Sequence, residues 1–189
     1  MQWTIPGTVL PAPLGEAGHA EGKFTSMFLG GGMMLSQVAA VTGLEPYTIQ
    51  NWVKRGFLTK PVGKKYTLRQ LCRIININML KDALHMEEIC SLLTYINGHM
   101  DDESDDLIDD SQLYFLFLRI ADRHRLMHND AGRDAVLKEV LQDYEEPVPG
   151  ARERVEQVLK VMLTAWAASL LRQQAINMST ELKTKTLSL

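Results

Sequence analysis

The stretch LSQVAAVTGLEPYTIQNWVKRGFLTKPVGKKY, Leu35 to Tyr66, decides how this chain is read. Ser36 stands where a side-chain oxygen can cap a helix, and Val38, Ala39 and Val41 are the apolar positions of the short helix that follows. Gly43 ends it, because glycine enters the left-handed conformation of a helix C-terminus without a Cβ clash. Pro46 suits the first turn of a second helix, where its missing N–H would be unpaired anyway. Ile49, Trp52 and Val53 recur at 3/4 spacing and form that helix's inner face, and Gly56 stops it. Two short helices thus flank Gly43-Leu44-Glu45, which is a helix-turn-helix layout. The basic segment Thr59 to Tyr66, broken by Pro61 and Gly63, predicts a small β-hairpin, or wing.

With Ile49, Trp52 and Val53 inward, the second helix turns Tyr47, Thr48, Gln50, Asn51, Lys54 and Arg55 outward. Asn and Gln can bond adenine bidentately, Arg can bond guanine or phosphate, and Thr and Tyr can bond phosphate. Lys60, Lys64 and Lys65 sit on the adjoining wing, where they can meet neighbouring phosphates. Residues 45–65 hold five Lys/Arg against Glu45 alone. An ordinary solvated helix and loop would show the same charge. The turn spacing and the order of the parts favour double-stranded DNA as the partner.

Outward from this stretch the pattern stays helical. Thr67 can cap a third helix carrying Leu68, Leu71, Cys72, Ile74, Ile75, Met79 and Leu80. A fourth starts near Met86, with Ile89, Cys90, Leu93 and Ile96 inward, and ends at Gly98. Asp101 to Asp110 carries seven acidic residues and no basic one, and is expected as a solvated loop over 100–110. Leu113 to Leu126, Asp134 to Tyr144, and Arg152 to about Asn177 read as helices of a C-terminal bundle; Pro147-Val148-Pro149-Gly150 is a hard stop before the last. Residues 1–32 hold seven of the thirteen glycines and three of the seven prolines, and are expected as an irregular arm touching the body through Trp3, Ile5 and Phe28. The fold class is therefore mainly α: an arm at 1–32, a winged helix-turn-helix at 33–99, an acidic loop, and a helical region at 111–189.

The 189 residues carry a formal charge of -3, which hides segregation along the chain. Residues 33–99 have 8 Lys/Arg against 4 Asp/Glu, whereas residues 100–189 have 11 against 17. A basic module precedes an acidic one. Apolar residues at 46% and charged residues at 23% exclude a wholly disordered chain and a disulfide scaffold. The longest apolar run, Val158 to Leu171, is too short for a bilayer and contains Lys160, so no membrane partner is expected. Two cysteines and no secretory leader make a reducing, cytoplasmic setting the default.

Residues 35–97 resemble the winged helix-turn-helix domain of the mercury-resistance (MerR) regulator family. The resemblance lies in Leu35-Ser36-Gln37-Val38-Ala39, Thr42-Gly43-Leu44, Thr48-Ile49, Gly56-Phe57-Leu58, Tyr66, Leu71 and Met86 to Leu93. Ile49 to Phe57 and Lys60 to Tyr66 are similar, more closely, to a bacterial family of MerR-like proteins designated a domain of unknown function. This implies a dimeric bacterial transcription regulator. Gln50, Asn51 and Trp52 stand where that family usually has an arginine and two aromatics, and the wing is shorter, with Lys64 where an arginine is common. Gly98 and the acidic run interrupt the place of the long dimerising helix that follows a MerR domain. Base-reading roles are therefore taken from this chain's own residues.

Cys72 and Cys90 lack a Cys-x-x-Cys spacing and read as small buried hydrophobes; His124 and His128, with Asp122 and Asp130 beside them, are too few for a metal site. No phosphate-cradling glycine loop or nucleophile elbow occurs, so neither an enzyme nor a cofactor is expected. Residues 111–177 carry more apolar surface than one small helical layer hides. They pack into a shared core or form a homodimer interface, and a homodimer is expected because paired half-sites add their contact energies. A small-molecule effector is left open, with no residue assigned to it. The alternative reading is a helical protein-interaction adaptor whose helix-turn-helix is only a scaffold.

Overall fold

The computed structural model describes residues 2–13, 15–16, 19–98, 102–124 and 130–186. These described residues are mainly helical, with two small two-stranded sheets among them. Its first segment departs from the expected irregular arm. β1 (Gln2–Thr4) pairs antiparallel with β2 (Pro11–Pro13), and α1 (Ala20–Met27) follows. Ile5 and Phe24 are fully buried, and Phe28 packs against the same core; the Trp3 side chain lies outside the described residues. The Tyr114 hydroxyl donates to the Pro6 carbonyl at 2.8 Å, and Asn78 Nδ2 donates to the Gly7 carbonyl at 2.9 Å. Composition reports only local preference. Here a few apolar side chains without periodic spacing are held by partners far along the chain, and burial overrides the turn-rich composition.

β3 (Met33–Met34) pairs antiparallel with β4 (Lys65–Tyr66) and runs directly into α2 (Leu35–Thr42). The helix cap is therefore Met34, extended by its strand pairing, and not Ser36. Gln37 reaches back to accept from the Met34 N–H at 2.8 Å. Gly43 takes the left-handed conformation at φ +69° and donates to Ala39 O, closing α2. α3 (Pro46–Lys54) begins three residues later. Val38, Val41, Leu44, Ile49 and Trp52 bury the angle between the two helices.

α4 (Leu68–Leu80) opens on a reciprocal cap: Thr67 Oγ1 accepts from the Gln70 N–H at 3.2 Å, and Gln70 Oε1 accepts from the Thr67 N–H at 2.9 Å. Leu71 to Ile77 are buried without a break, so α4 is enclosed on all sides. It packs against α2, against α5 (Met86–Asn97), against α6 (Asp110–His124) and against α8 (Ala151–Thr186), while α7 (Asp130–Val140) leans on α6. One continuous core runs from Ile5 to Trp166, with Phe24 edge-on to Tyr114 and Phe117 edge-on to Trp166, both at 5.7 Å. The basic and acidic segments share this core.

Two further expectations are revised. The acidic connection is not simply solvated: Asp110 is buried and Asp106 half-buried against arginines of α4, because carboxylates withdrawn from water need cationic partners. The last helix also outruns the body. It buries Val155, Val158, Leu159, Met162, Leu163, Ala165 and Trp166, yet every residue from Leu170 to Lys183 is exposed, a projection of about 21 Å at 1.5 Å per residue. Among the described residues, no helix is long and apolar enough to cross a membrane.

Candidate functional site

At 3.6 residues per turn, Gln50, Lys54, Tyr47, Asn51, Arg55 and Thr48 occupy an arc of about 160° on α3, and Ile49, Trp52 and Val53 occupy the opposite one. Burial follows this wheel. Ile49 is 0% exposed and Trp52 5%, with Val53 half-buried, whereas Tyr47 is 75% exposed. Gln50, Lys54 and Arg55 are also exposed; Thr48 and Asn51 are half-buried at the edge of the arc. The Arg55 guanidinium lies over the Phe57 ring, 4.6 Å from its centroid, which holds the charge at the surface without neutralising it.

The loop after α3 is braced from α4. Gln70 Nε2 donates to Thr59 Oγ1 at 2.9 Å and approaches the carbonyls of Thr59 and Lys60 at 3.2 Å. Lys60 leaves this anchor exposed. Val62 bridges to Lys65 around Gly63 at φ +56° and Lys64 at φ +63°, a two-residue turn with both central residues left-handed. Such a backbone is ordinary for Gly63 and strained for Lys64. Lys64 thus sits at a hairpin tip, with Lys65 beside it on β4, both exposed. Among the described residues no carboxylate pairs with Lys54, Arg55, Lys60, Lys64 or Lys65.

The remaining arginines of the basic segment are engaged. Arg69 Nη2 meets Asp106 Oδ2 at 2.7 Å, and its Nε faces Asp109 at 3.6 Å and Asp110 at 3.9 Å. Arg73 Nη1 meets Asp110 Oδ2 at 3.3 Å, and its Nε donates to the Phe57 carbonyl at 3.1 Å. Sequence reasoning missed the pairing of these five residues, Arg69, Arg73, Asp106, Asp109 and Asp110. The available signal was Arg69 and Arg73 at i, i+4 on a helix whose other residues are mostly apolar. Among the described residues their pairing leaves the α3 and loop cations, with Lys81 at the far end of α4, as the unpaired positive charge of the segment. Burial pushes the Asp110 carboxyl above its usual range, while Arg73 and Arg69 pull it down.

Burial raises both thiols, Cys72 further than Cys90. His128 lies outside the described residues, as does the His124 side chain. Among the described residues no group of three or more His, Cys, Asp or Glu could hold a metal ion. His85 is the exposed N-cap of α5, its N–H bonded to Glu88 at 2.7 Å.

Residues 33–117 match a family described as a domain of unknown function (DUF1836). The matched segment opens at β3 and closes inside α6, so it takes in the α2–α3 turn, the braced loop and the arginine–aspartate pairs. The chain is also similar to the uncharacterized protein YkrK of Bacillus subtilis (strain 168), with 27% identity over 128 residues, 66% of this chain and 54% of that protein. It thus spans about half the length of that relative. No solved structure matches the chain.

Proposed function

We propose that this chain is a sequence-specific DNA-binding protein, a winged helix-turn-helix regulator of bacterial transcription that acts as a dimer. The observation that carries the reading is the contrast in charge engagement. Arg69 and Arg73 are paired, whereas Lys54, Arg55, Lys60, Lys64 and Lys65 stand exposed around a helix whose outward arc also bears Thr48, Gln50 and Asn51. A helix of this width enters the major groove. Thr48, Gln50, Asn51 and Arg55 are assigned to base edges, and Tyr47, Lys54, Lys60, Lys64 and Lys65 to the phosphates that set register. The strained Lys64 turn fits this use, since off-preference backbone persists where position matters more than stability.

The dimer is assigned to α8. Val161, Thr164, Ala168, Leu171, Ala175, Met178 and Leu182 are all exposed and recur at alternating steps of three and four, the spacing of a two-helix seam. Two copies joined there would present two recognition helices to paired half-sites.

Selection of bound sites from random duplexes tests the reading. A recovered palindrome supports both binding and symmetry; absence of any enriched sequence overturns it. Lys64→Ala with Lys65→Ala should lower the salt dependence of binding by about one unit of slope per lost contact. Gln50→Ala should instead relax sequence preference. The exposed α8 stripe also favours a second reading, a helical adaptor docking another protein, which predicts no enriched duplex and a monomer in sedimentation.

A further inference from the structure

The α2–α3 turn is held from outside the two helices it joins. Of the last carbonyls of α2, that of Val41 accepts from the Val9 N–H at 3.0 Å and that of Thr42 accepts from Asn78 Nδ2 at 3.0 Å. Helix-end carbonyls have no partner within their own helix, so the groups that take them up fix where the helix stops and the chain turns. Here the arm and α4 take them up. The same Asn78 amide donates to the Gly7 carbonyl at 2.9 Å, so its N–H groups tie arm, α2 and α4 together. Val9 adds a steric contact. A Cβ on Gly43 would lie 2.5 Å from Val9 Cγ1, so the bare Cα of the turn glycine is where the arm rests.

This part of the arm is stiff, because between Ile5 and Leu10 the chain closes on itself. The Ile5 N–H donates to the Leu10 carbonyl at 2.9 Å. The Thr8 N–H and hydroxyl both donate to the Ile5 carbonyl, at 3.0 and 2.9 Å, and Thr8 Oγ1 accepts from the Leu10 N–H at 3.1 Å. Ile5 and Thr8 are buried, and the Pro6 carbonyl is held by Tyr114 of α6. The loop also borders the last helix. Thr8 and Val9 line one cleft with Trp166 and Leu170, at the point where α8 leaves the body. A rigid loop thus stands between the α2–α3 turn and the root of the projecting helix.

We propose that residues 5–10 are a positioning strap: through Asn78 and Val9 they fix the α2–α3 turn, and with it α3, relative to α8. With α8 as the dimer helix, that relation sets the separation of two recognition helices and therefore the spacing of the half-sites a dimer accepts. Asn78 and Val9 are positioning residues, acting through the turn and not on a base or phosphate. The first half stands on the geometry alone; the second rests on the reading as a dimeric DNA-binding protein.

Hydrogen exchange on the full chain tests the first half. Asn78→Ala should speed exchange of the Gly43 and Leu44 amides at least about tenfold more than that of Leu93 and Ile96 in α5. Asn78→Asp, which keeps the shape and loses the N–H donors, should match it. Val9→Ala, at an exposed position, should raise the same ratio about threefold or more, and it still decides should neither Asn78 variant fold. Turn amides that exchange as in the unaltered chain, or a rise shared equally by α5, which marks a general loss of stability, overturn the proposal. Selection from random duplexes tests the second half. The unaltered chain should recover one half-site at a single spacing. Asn78→Ala should recover the same half-site at several spacings, a change that lost stability alone does not produce. A single, unchanged spacing overturns the second half alone. An unaltered chain that enriches no duplex overturns the DNA-binding reading, and one that enriches a lone half-site overturns the dimer; in both cases the exchange result still decides the strap.

Discussion

Arg73 and Asp110 meet inside the protein at 3.3 Å, 37 residues apart, and the same guanidinium donates to the Phe57 carbonyl at 3.1 Å. One side chain thereby joins the end of α3 to the start of α6. The aspartate is fully enclosed, and its backbone carbonyl accepts from Asn76 Nδ2 at 3.3 Å.

Removing one partner of this pair leaves the other charge buried and uncompensated. Asp110→Ala is expected to cost about 3–5 kcal/mol in urea unfolding. The double change Arg73→Met with Asp110→Leu is expected to recover most of that loss, because a hydrophobic pair of similar volume carries no desolvation penalty. A single-variant loss below about 1 kcal/mol would mean that water reaches Arg73.

Asp106 is expected to titrate with a midpoint of about 6, raised from 3.8 by burial and held back by Arg69. The folded state then binds this proton more tightly than the unfolded state. Its stabilising contribution is complete below about pH 4 and is lost as pH rises through about 6. The Arg69 ion pair strengthens over the same rise, because it requires the ionised carboxylate. The Asp106 carboxyl carbon, followed by NMR, checks the midpoint; a value near 4 would place that side chain in water.

Gly7→Ala should be among the most destabilising single changes. Gly7 has φ +73°, and an added Cβ would lie 2.6 Å from the Ile75 carbonyl oxygen and 2.8 Å from Ile75 Cγ2. A loss of about 3 kcal/mol or more is expected, since backbone strain and overpacking of the enclosed α4 combine. Gly15→Ala is the control: its φ is +85° but nothing lies within 4 Å, so only the strain of about 1–2 kcal/mol applies. Equal melting temperatures for the two variants would show that the arm moves away from α4.

Lys64→Gly separates strain from charge. Relief of the left-handed lysine should stabilise the fold by about 0.5–1 kcal/mol in thermal melts. DNA affinity should nevertheless fall, with the salt slope reduced by about one unit. Unchanged DNA binding would remove the hairpin tip from the interface.

A chain ending at Ser169 should keep its core, because the residues from Leu170 to Lys183 are exposed on every side. Its unfolding free energy should stay within about 1 kcal/mol of the full chain at low concentration, while sedimentation should show a monomer in place of a dimer. A truncated chain that still dimerises would place the interface elsewhere.

What could be read from the residues alone is what acts within one or two turns of backbone. Gly43, Pro46, Thr67 and Gly98 mark helix ends through forces between near neighbours, and the 3/4 spacing of Ile49, Trp52 and Val53 predicts which side of α3 faces out. Ser36 misled because a strand, formed by pairing with Lys65 and Tyr66, starts the helix two residues earlier. The docking of the arm on Tyr114 and Asn78, the seating of Asp106 and Asp110 on Arg69 and Arg73, and the projection of α8 are all decided by partners dozens of residues away. Charge and composition announce that such groups need water or a counter-ion, but only the closed core determines which of the two each one receives.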